Sequence, residues 1–160
     1  MAPRPCKDDA SGVATPTAPR SFPPSVGACG GVSSEARPGI MLRDAHLLLT
    51  GGAGFIGTAL CRELLPHNKI RVLDNLRRNG LEAAGLMGHE NLELVVGDVR
   101  DADVVREATE GVDYVVHMAS IAGVDTVMKN PVTTMDVSLR GTMNVLEAAR
   151  AVSGIKRVID

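Results

Sequence analysis

From residue 45 to residue 159 the chain alternates short apolar runs with stretches of helical period. The runs are 45–50 (AHLLLT), 69–74 (KIRVLD), 91–96 (NLELVV), 112–118 (VDYVVHM) and 155–159 (IKRVI). Each is too short for a buried helix, so each predicts a strand. Between the first two, Phe55, Ile56, Ala59, Leu60 and Leu64 recur at helical spacing over 54–65 and stop before Pro66. A short helix is expected over 81–87, and Asp101 suits the cap of another running through Thr109 to Gly111. In the longest crossover Asn130 suits the N-cap, Pro131 the first helical position and Gly154 the stop. There Val132, Met135, Leu139, Met143, Leu146 and Ala149 step by three and four along one face. Strands alternating with helices require parallel pairing and right-handed crossovers. The expected fold is therefore α/β, a doubly wound parallel sheet of order 3-2-1-4-5.

Residues 1–43 differ from the rest. They hold seven of the nine prolines and no sustained apolar period, so too little is buried to offset chain entropy. The expectation is a disordered extension, with Met41, directly ahead of the first strand, as an alternative start of translation. A transit peptide fits the Ala, Ser and Thr content but not Asp8, Asp9 and Glu35, and a regulatory tail is the third reading. The domain is expected over 44–160.

Composition removes several function classes. Lys+Arg 17 against Asp+Glu 19 leaves a net charge of -2 without a basic patch, which argues against a nucleic-acid binder. No apolar run is long enough to span a membrane. Cys6, Cys29 and Cys61 lack metal-site spacing and are odd in number, so no metal centre or disulfide framework is expected. Cys61 lies on a helical apolar face and reads as a core filler. Phe22, Phe55 and Tyr114 are the only aromatic residues, too few for a base-stacking platform.

The segment joining the first strand to the first helix is Thr50-Gly51-Gly52-Ala53-Gly54-Phe55-Ile56-Gly57. A phosphate-binding turn needs a tight bend, a backbone open to the pyrophosphate and close helix–strand packing. Gly51, Gly54 and Gly57 supply these in turn, and the helix N-terminus offers amides and a positive dipole end. Phe55 and Ile56 are expected to pack over the turn and into the core. Asp74 closes the second strand, where a carboxylate accepts from adenosine ribose hydroxyls and repels a 2′-phosphate. NAD is thus expected over NADP, with Arg77 and Arg78 the opposing indication.

Together TGGAGFIG and Asp74-Asn75-Leu76 resemble the extended short-chain dehydrogenase/reductase family, in its nucleotide-sugar epimerase and dehydratase branch. The same resemblance runs through Gly97-Asp98-Val99-Arg100-Asp101, His117-Met118-Ala119-Ser120, residues 141–149 (GTMNVLEAA) and Lys156-Arg157-Val158. It covers about residues 44–160 and implies a Rossmann-like, NAD-binding domain, a nucleotide-sugar substrate, a cytoplasmic location and a homodimer in the full-length proteins. It implies that Asp98 bonds the adenine amino group and Val99 covers a ring face. Met118, Ala119 and Ser120 would pass beneath the nicotinamide ribose. Asn75 belongs to the ribose-side motif. His117 reads as a core histidine rather than a proton donor.

The pattern departs from the family at Ser138, where an asparagine is usual. Its hydroxyl has a shorter reach to the cofactor. Gly141, mid-helix, is expected to serve close packing. The family's hydride chemistry uses a Ser/Thr after the fifth strand and a Tyr-x-x-x-Lys on the next helix. The single tyrosine, Tyr114, has Met118 four residues on, so no catalytic residue is expected within these 160. The expectation is a cofactor-binding portion, inactive alone, with an unpaired sheet edge and exposed apolar surface on the long helix. The alternatives are a hydroxysteroid dehydrogenase or carbonyl reductase branch, or a non-catalytic NAD-sensing module.

Overall fold

A computed structural model describes residues 42–160, so the extension expected over 1–43 lies outside the described residues except for its last two. Those two touch the domain: Leu42 O accepts from Asn68 Nδ2 at 2.9 Å, and Arg43 reaches His67.

The elements run β1 (His46–Thr50), α1 (Phe55–Leu64), β2 (Lys69–Asp74), α2 (Gly80–Ala83), β3 (Leu92–Val96), α3 (Ala102–Thr109), β4 (Tyr114–His117), α4 (Val124–Lys129), α5 (Pro131–Ala151) and β5 (Arg157–Ile159). All strands pair in parallel, in the order β3-β2-β1-β4-β5. This is the predicted order.

The central strand is apolar at its three middle positions, Leu47, Leu48 and Leu49. Leu47 and Leu49 face one side of the sheet, toward Cys61, Leu65 and Leu81, while Leu48 faces the other, toward Val105, Val145 and Ala148. Helices cover both sides, so these middle positions are apolar on either face, while Thr50 at the strand's end is buried on a hydrogen bond shared with His117. Each fully buried leucine contributes about 1.5–3 kcal/mol. Cys61 is completely buried, and burial pushes its thiol up to about 11, so it fills space and does not react.

Several element boundaries shift from expectation. The helix expected over 81–87 is one turn, Gly80–Ala83, which Asn79 caps by accepting from Glu82 N at 3.2 Å. Asp101 caps α3 as predicted, accepting from Asp103 N and Val104 N. Asn130 sits at the expected junction, but its side chain does not cap α5. It also ends α4, a short exposed helix without a readable apolar period, and its amide turns back to Thr126 O. Its carbonyl instead accepts from Thr134 N and Oγ1.

The apolar face of α5 is exposed, as expected. Val132, Met135, Leu139, Met143 and Leu146 are 51–80% exposed, while the opposite face, Gly141, Val145 and Ala148, packs inward. The inward side carries glycine where the helix passes close to the loop after β3. A Cβ on Gly141 would stand 2.8 Å from Val99 Cγ2. That agrees with the close packing expected of Gly141.

Candidate functional site

The site forms where the C-terminal ends of β1, β2 and β4 meet, the place where doubly wound sheets take ligands. Gly51 leaves β1 at φ +72, and a Cβ there would lie 2.8 Å from the Ala119 backbone. At Gly57 it would lie 2.5 Å from Gly52 Cα. The turn is thus packed backbone against backbone, which only glycine permits. Gly54 N donates to Gly51 O at 3.0 Å and closes the bend.

Beyond the bend, the first α1 bond runs from Thr58 N to Gly54 O at 2.9 Å. The amides of Phe55, Ile56 and Gly57 come before it and have no intrahelical acceptor. Three such amides at a positive dipole end make a receptor for a diphosphate. Phe55 and Ile56 themselves do not pack into the core as expected: they are 92% and 70% exposed. The buried side of α1 is taken by Gly57, Thr58 and Cys61, and at 100° per residue positions 55 and 56 point away from it.

Asp74 braces this turn from β2. Its Oδ2 accepts from Ala53 N at 3.0 Å and its Oδ1 from Leu76 N at 2.8 Å, with Leu76 itself in the left-handed region at φ +55. A carboxylate has about four acceptor positions, so two remain for hydroxyl donors. Asn75 is exposed and accepts from Arg77 N at 3.1 Å, a turn contact, while Arg77 and Arg78 are exposed alongside.

After β3, Asp98 is held by Arg100 through three donors: the backbone N (2.9 Å), Nε (3.0 Å) and an Nη (2.7 Å). These bonds, the side-chain ones foremost, hold its carboxyl below the usual carboxylate range. Val99 is buried against Gly141, leaving little of its side chain to cover a ring, and Asn144 Nδ2 donates to its carbonyl at 2.9 Å.

A cavity of about 250 Å³ opens beside the end of β4, lined by Met118, Ala119, Ser120, Ser138, His117, Thr142 and Asp160. It joins four residues singled out from the sequence to three that were not given that place. Ser138 lies on α5, 18 residues beyond Ser120, and only the packing of α5 brings them together. His117 is 6% exposed and shares a hydrogen bond with Thr50 across the β1–β4 register. That is the core role expected of it.

Burial pushes the His117 imidazole below its ordinary pKa, with Asp160 opposing. As pH falls below about 6.5 the unfolded chain therefore takes up a proton first. Stability is fully present above that value and is lost as pH falls toward the folded pKa. The urea midpoint should thus drop between about pH 7.5 and 5.5, and His117→Gln should flatten that drop. Parallel declines in both proteins would remove His117 as the source. The lowered carboxylates of Asp98 and Asp113 act in the same direction, but only at and below the ordinary carboxylate range.

A larger groove of about 520 Å³ lies at the other end of the sheet, between Arg43, His67, Lys69 and Asp113. It is remote from the glycine turn. Among the described residues no group of three His, Cys, Asp or Glu side chains is placed to hold a metal ion. No described helix is long and apolar enough to cross a membrane.

Residues 47–160 match the model of the NAD dependent epimerase/dehydratase family. A dTDP-glucose 4,6-dehydratase of Mycobacterium tuberculosis is 36% identical over 108 residues, 66% of this chain and 33% of its own length. A UDP-glucose 4-epimerase of Rickettsia typhi is 31% identical over 115 residues, 68% of this chain and 34% of its own. The chain thus spans about a third of the length of these curated relatives. Among solved structures, the dTDP-glucose 4,6-dehydratase DesIV of Streptomyces venezuelae, with NAD and TYD bound, superposes with a TM-score of 0.64 at 35% identity. That match covers 71% of this chain and 38% of DesIV. With the sheet order, the glycine turn and the Asp74 brace, these matches place the chain in the NAD dependent epimerase/dehydratase family, within the extended short-chain dehydrogenases/reductases.

Proposed function

We propose that residues 44–160 form the NAD-binding portion of a nucleotide-sugar epimerase/dehydratase-like oxidoreductase. The observation that carries this reading is the Ala53–Asp74 hydrogen bond, which fixes the glycine turn and the ribose-side carboxylate as one unit. In this reading the amides at 55–57 hold the diphosphate, Gly51, Gly54 and Gly57 leave room for it, and Asp74 accepts from the adenosine ribose. Asp98 accepts from the adenine amino group. Met118, Ala119, Ser120 and Ser138 line the nicotinamide side. Bound NAD would supply the hydride acceptor for a sugar carbon; the residues here would orient it and keep its two ends apart.

Proton abstraction from a sugar hydroxyl needs a base within hydrogen-bond reach. Tyr114 cannot serve in this reading, since it is the first residue of β4, at the opposite end of the strand from Met118, with the Lys156 ammonium 5.6 Å from its ring centroid. The 160 residues are therefore proposed to bind cofactor without turning over a sugar, and NAD is preferred over NADP because Asp74 would repel a 2′-phosphate. Asp74→Ala should lower the ratio of NAD to NADP affinity about tenfold, the worth of one charge-assisted hydrogen bond. Asp74→Asn, which retains an acceptor for Ala53 N, separates loss of charge from loss of the brace. Calorimetric titration with both dinucleotides reads the ratio. A ratio unchanged in both variants would take Asp74 out of the ribose role.

A further inference from the structure

Arg100 supplies every protein donor to the Asp98 carboxylate. Its backbone N and Nε both bond Oδ1, and one Nη bonds Oδ2. With about four acceptor positions on a carboxylate, three are filled and one remains, on Oδ2. The other arm of the guanidinium reaches Asp136 Oδ2 on α5 at 3.3 Å, and Arg140 Nε bonds Asp136 Oδ1 at 3.1 Å. The Asp98 side chain is 31% exposed, so it is not sealed from a ligand. The loop is tied to α5 at two more points, Val99 against Gly141 and Asn144 on the Val99 carbonyl.

We infer that Arg100 is a positioning residue for base recognition: its fork, anchored on Asp136, leaves Asp98 one acceptor aimed at a single donor of the base. This rests on the reading of Asp98 as the adenine contact. A carboxylate pinned in this way meets an exocyclic amino group but cannot slide across to a neighbouring ring N–H. A carboxylate freed from the fork can do both. Lysine would not replace the arginine, because a single ammonium cannot hold two oxygens in a plane and a third on α5 as well.

The test compares NAD with nicotinamide hypoxanthine dinucleotide, whose base carries a carbonyl in place of the amino group and a donor at the adjacent ring nitrogen. The intact 160-residue chain should favour NAD. Arg100→Lys should lose most of that preference, about tenfold, with its circular dichroism and melting temperature kept near the parent values. Asp136→Asn, which loosens only the anchor, should move the preference the same way by less, and it carries the test if Arg100→Lys does not fold. If Asp98→Ala abolishes the preference while the folded Arg100 and Asp136 variants retain it, the positioning role is overturned and the adenine reading stands. If Asp98→Ala leaves the preference intact, the adenine reading fails and the positioning role fails with it.

Discussion

Gly57→Ala should destabilise the domain and cut dinucleotide affinity by about tenfold or more. Two effects oppose each other at this position. Alanine gains about 1 kcal/mol of helix propensity over glycine. Against that, its Cβ would stand 2.5 Å from Gly52 Cα and 2.6 Å from Gly52 O, inside any allowed contact. Forced overpacking costs about 1–3 kcal/mol, and the upper end applies because the obstructing atoms are backbone. The turn cannot swing aside cheaply, since Gly51 abuts Ala119 and Ala53 N is bonded to Asp74. The clash wins, and relief comes by displacing the turn and the amides that follow it. Thermal unfolding and calorimetric titration with NAD check both halves. A variant that melts and binds like the parent would show that the turn is looser than its packing implies.

The apolar stripe on α5 gives the second large effect. Val132, Met135, Leu139, Met143 and Leu146 form a continuous exposed ridge more than half open to solvent at each position. Contiguous apolar surface of this kind drives association, while single exposed apolar residues do not. The chain is expected to self-associate as its concentration rises, and Leu139→Glu with Met143→Glu should return it to a monomer. Both positions are exposed, so the pair should leave the melting temperature of the monomer nearly unchanged. Sedimentation of parent and variant across a concentration series reads this directly. A parent chain that stays monomeric would contradict it.

What could be read from sequence divides along a physical line. The strands and the glycine turn were legible because each depends on residues within one element or one turn, and the strand order because right-handed crossovers leave few topologies. The inward side of α5 was marked by Gly141 alone. The helix's large apolar residues mark the outer face, and the inner face is made of Gly141, Val145 and Ala148, with the glycine where the helix passes close to the loop after β3. A helix with Gly and Ala recurring at helical spacing opposite a row of Met and Leu is the signal that would have shown it. Phe55 and Ile56 misled for a related reason: apolar residues at a helix start count toward the period whether or not they face inward. Asp98 and Arg100 are neighbours in sequence and were readable as a motif. Their anchor Asp136 lies 36 residues from Arg100 and becomes visible only once α5 is docked. The Thr50–His117 bond likewise requires the β1–β4 register.

The central claim is that the turn at residues 51–57, Asp74 and the ends of β3 and β4 form one dinucleotide site. Titrating NAD into the isotope-labelled 160-residue chain, with its amide resonances assigned, tests this most directly. The predicted result is a saturable shift of the amides at 51–57, of Asp74 and Leu76, of Asp98 and Val99, and of Met118–Ser120, with the groove near Arg43 and His67 unmoved. A folded chain whose resonances stay in place at millimolar NAD, or move only around that far groove, would contradict it.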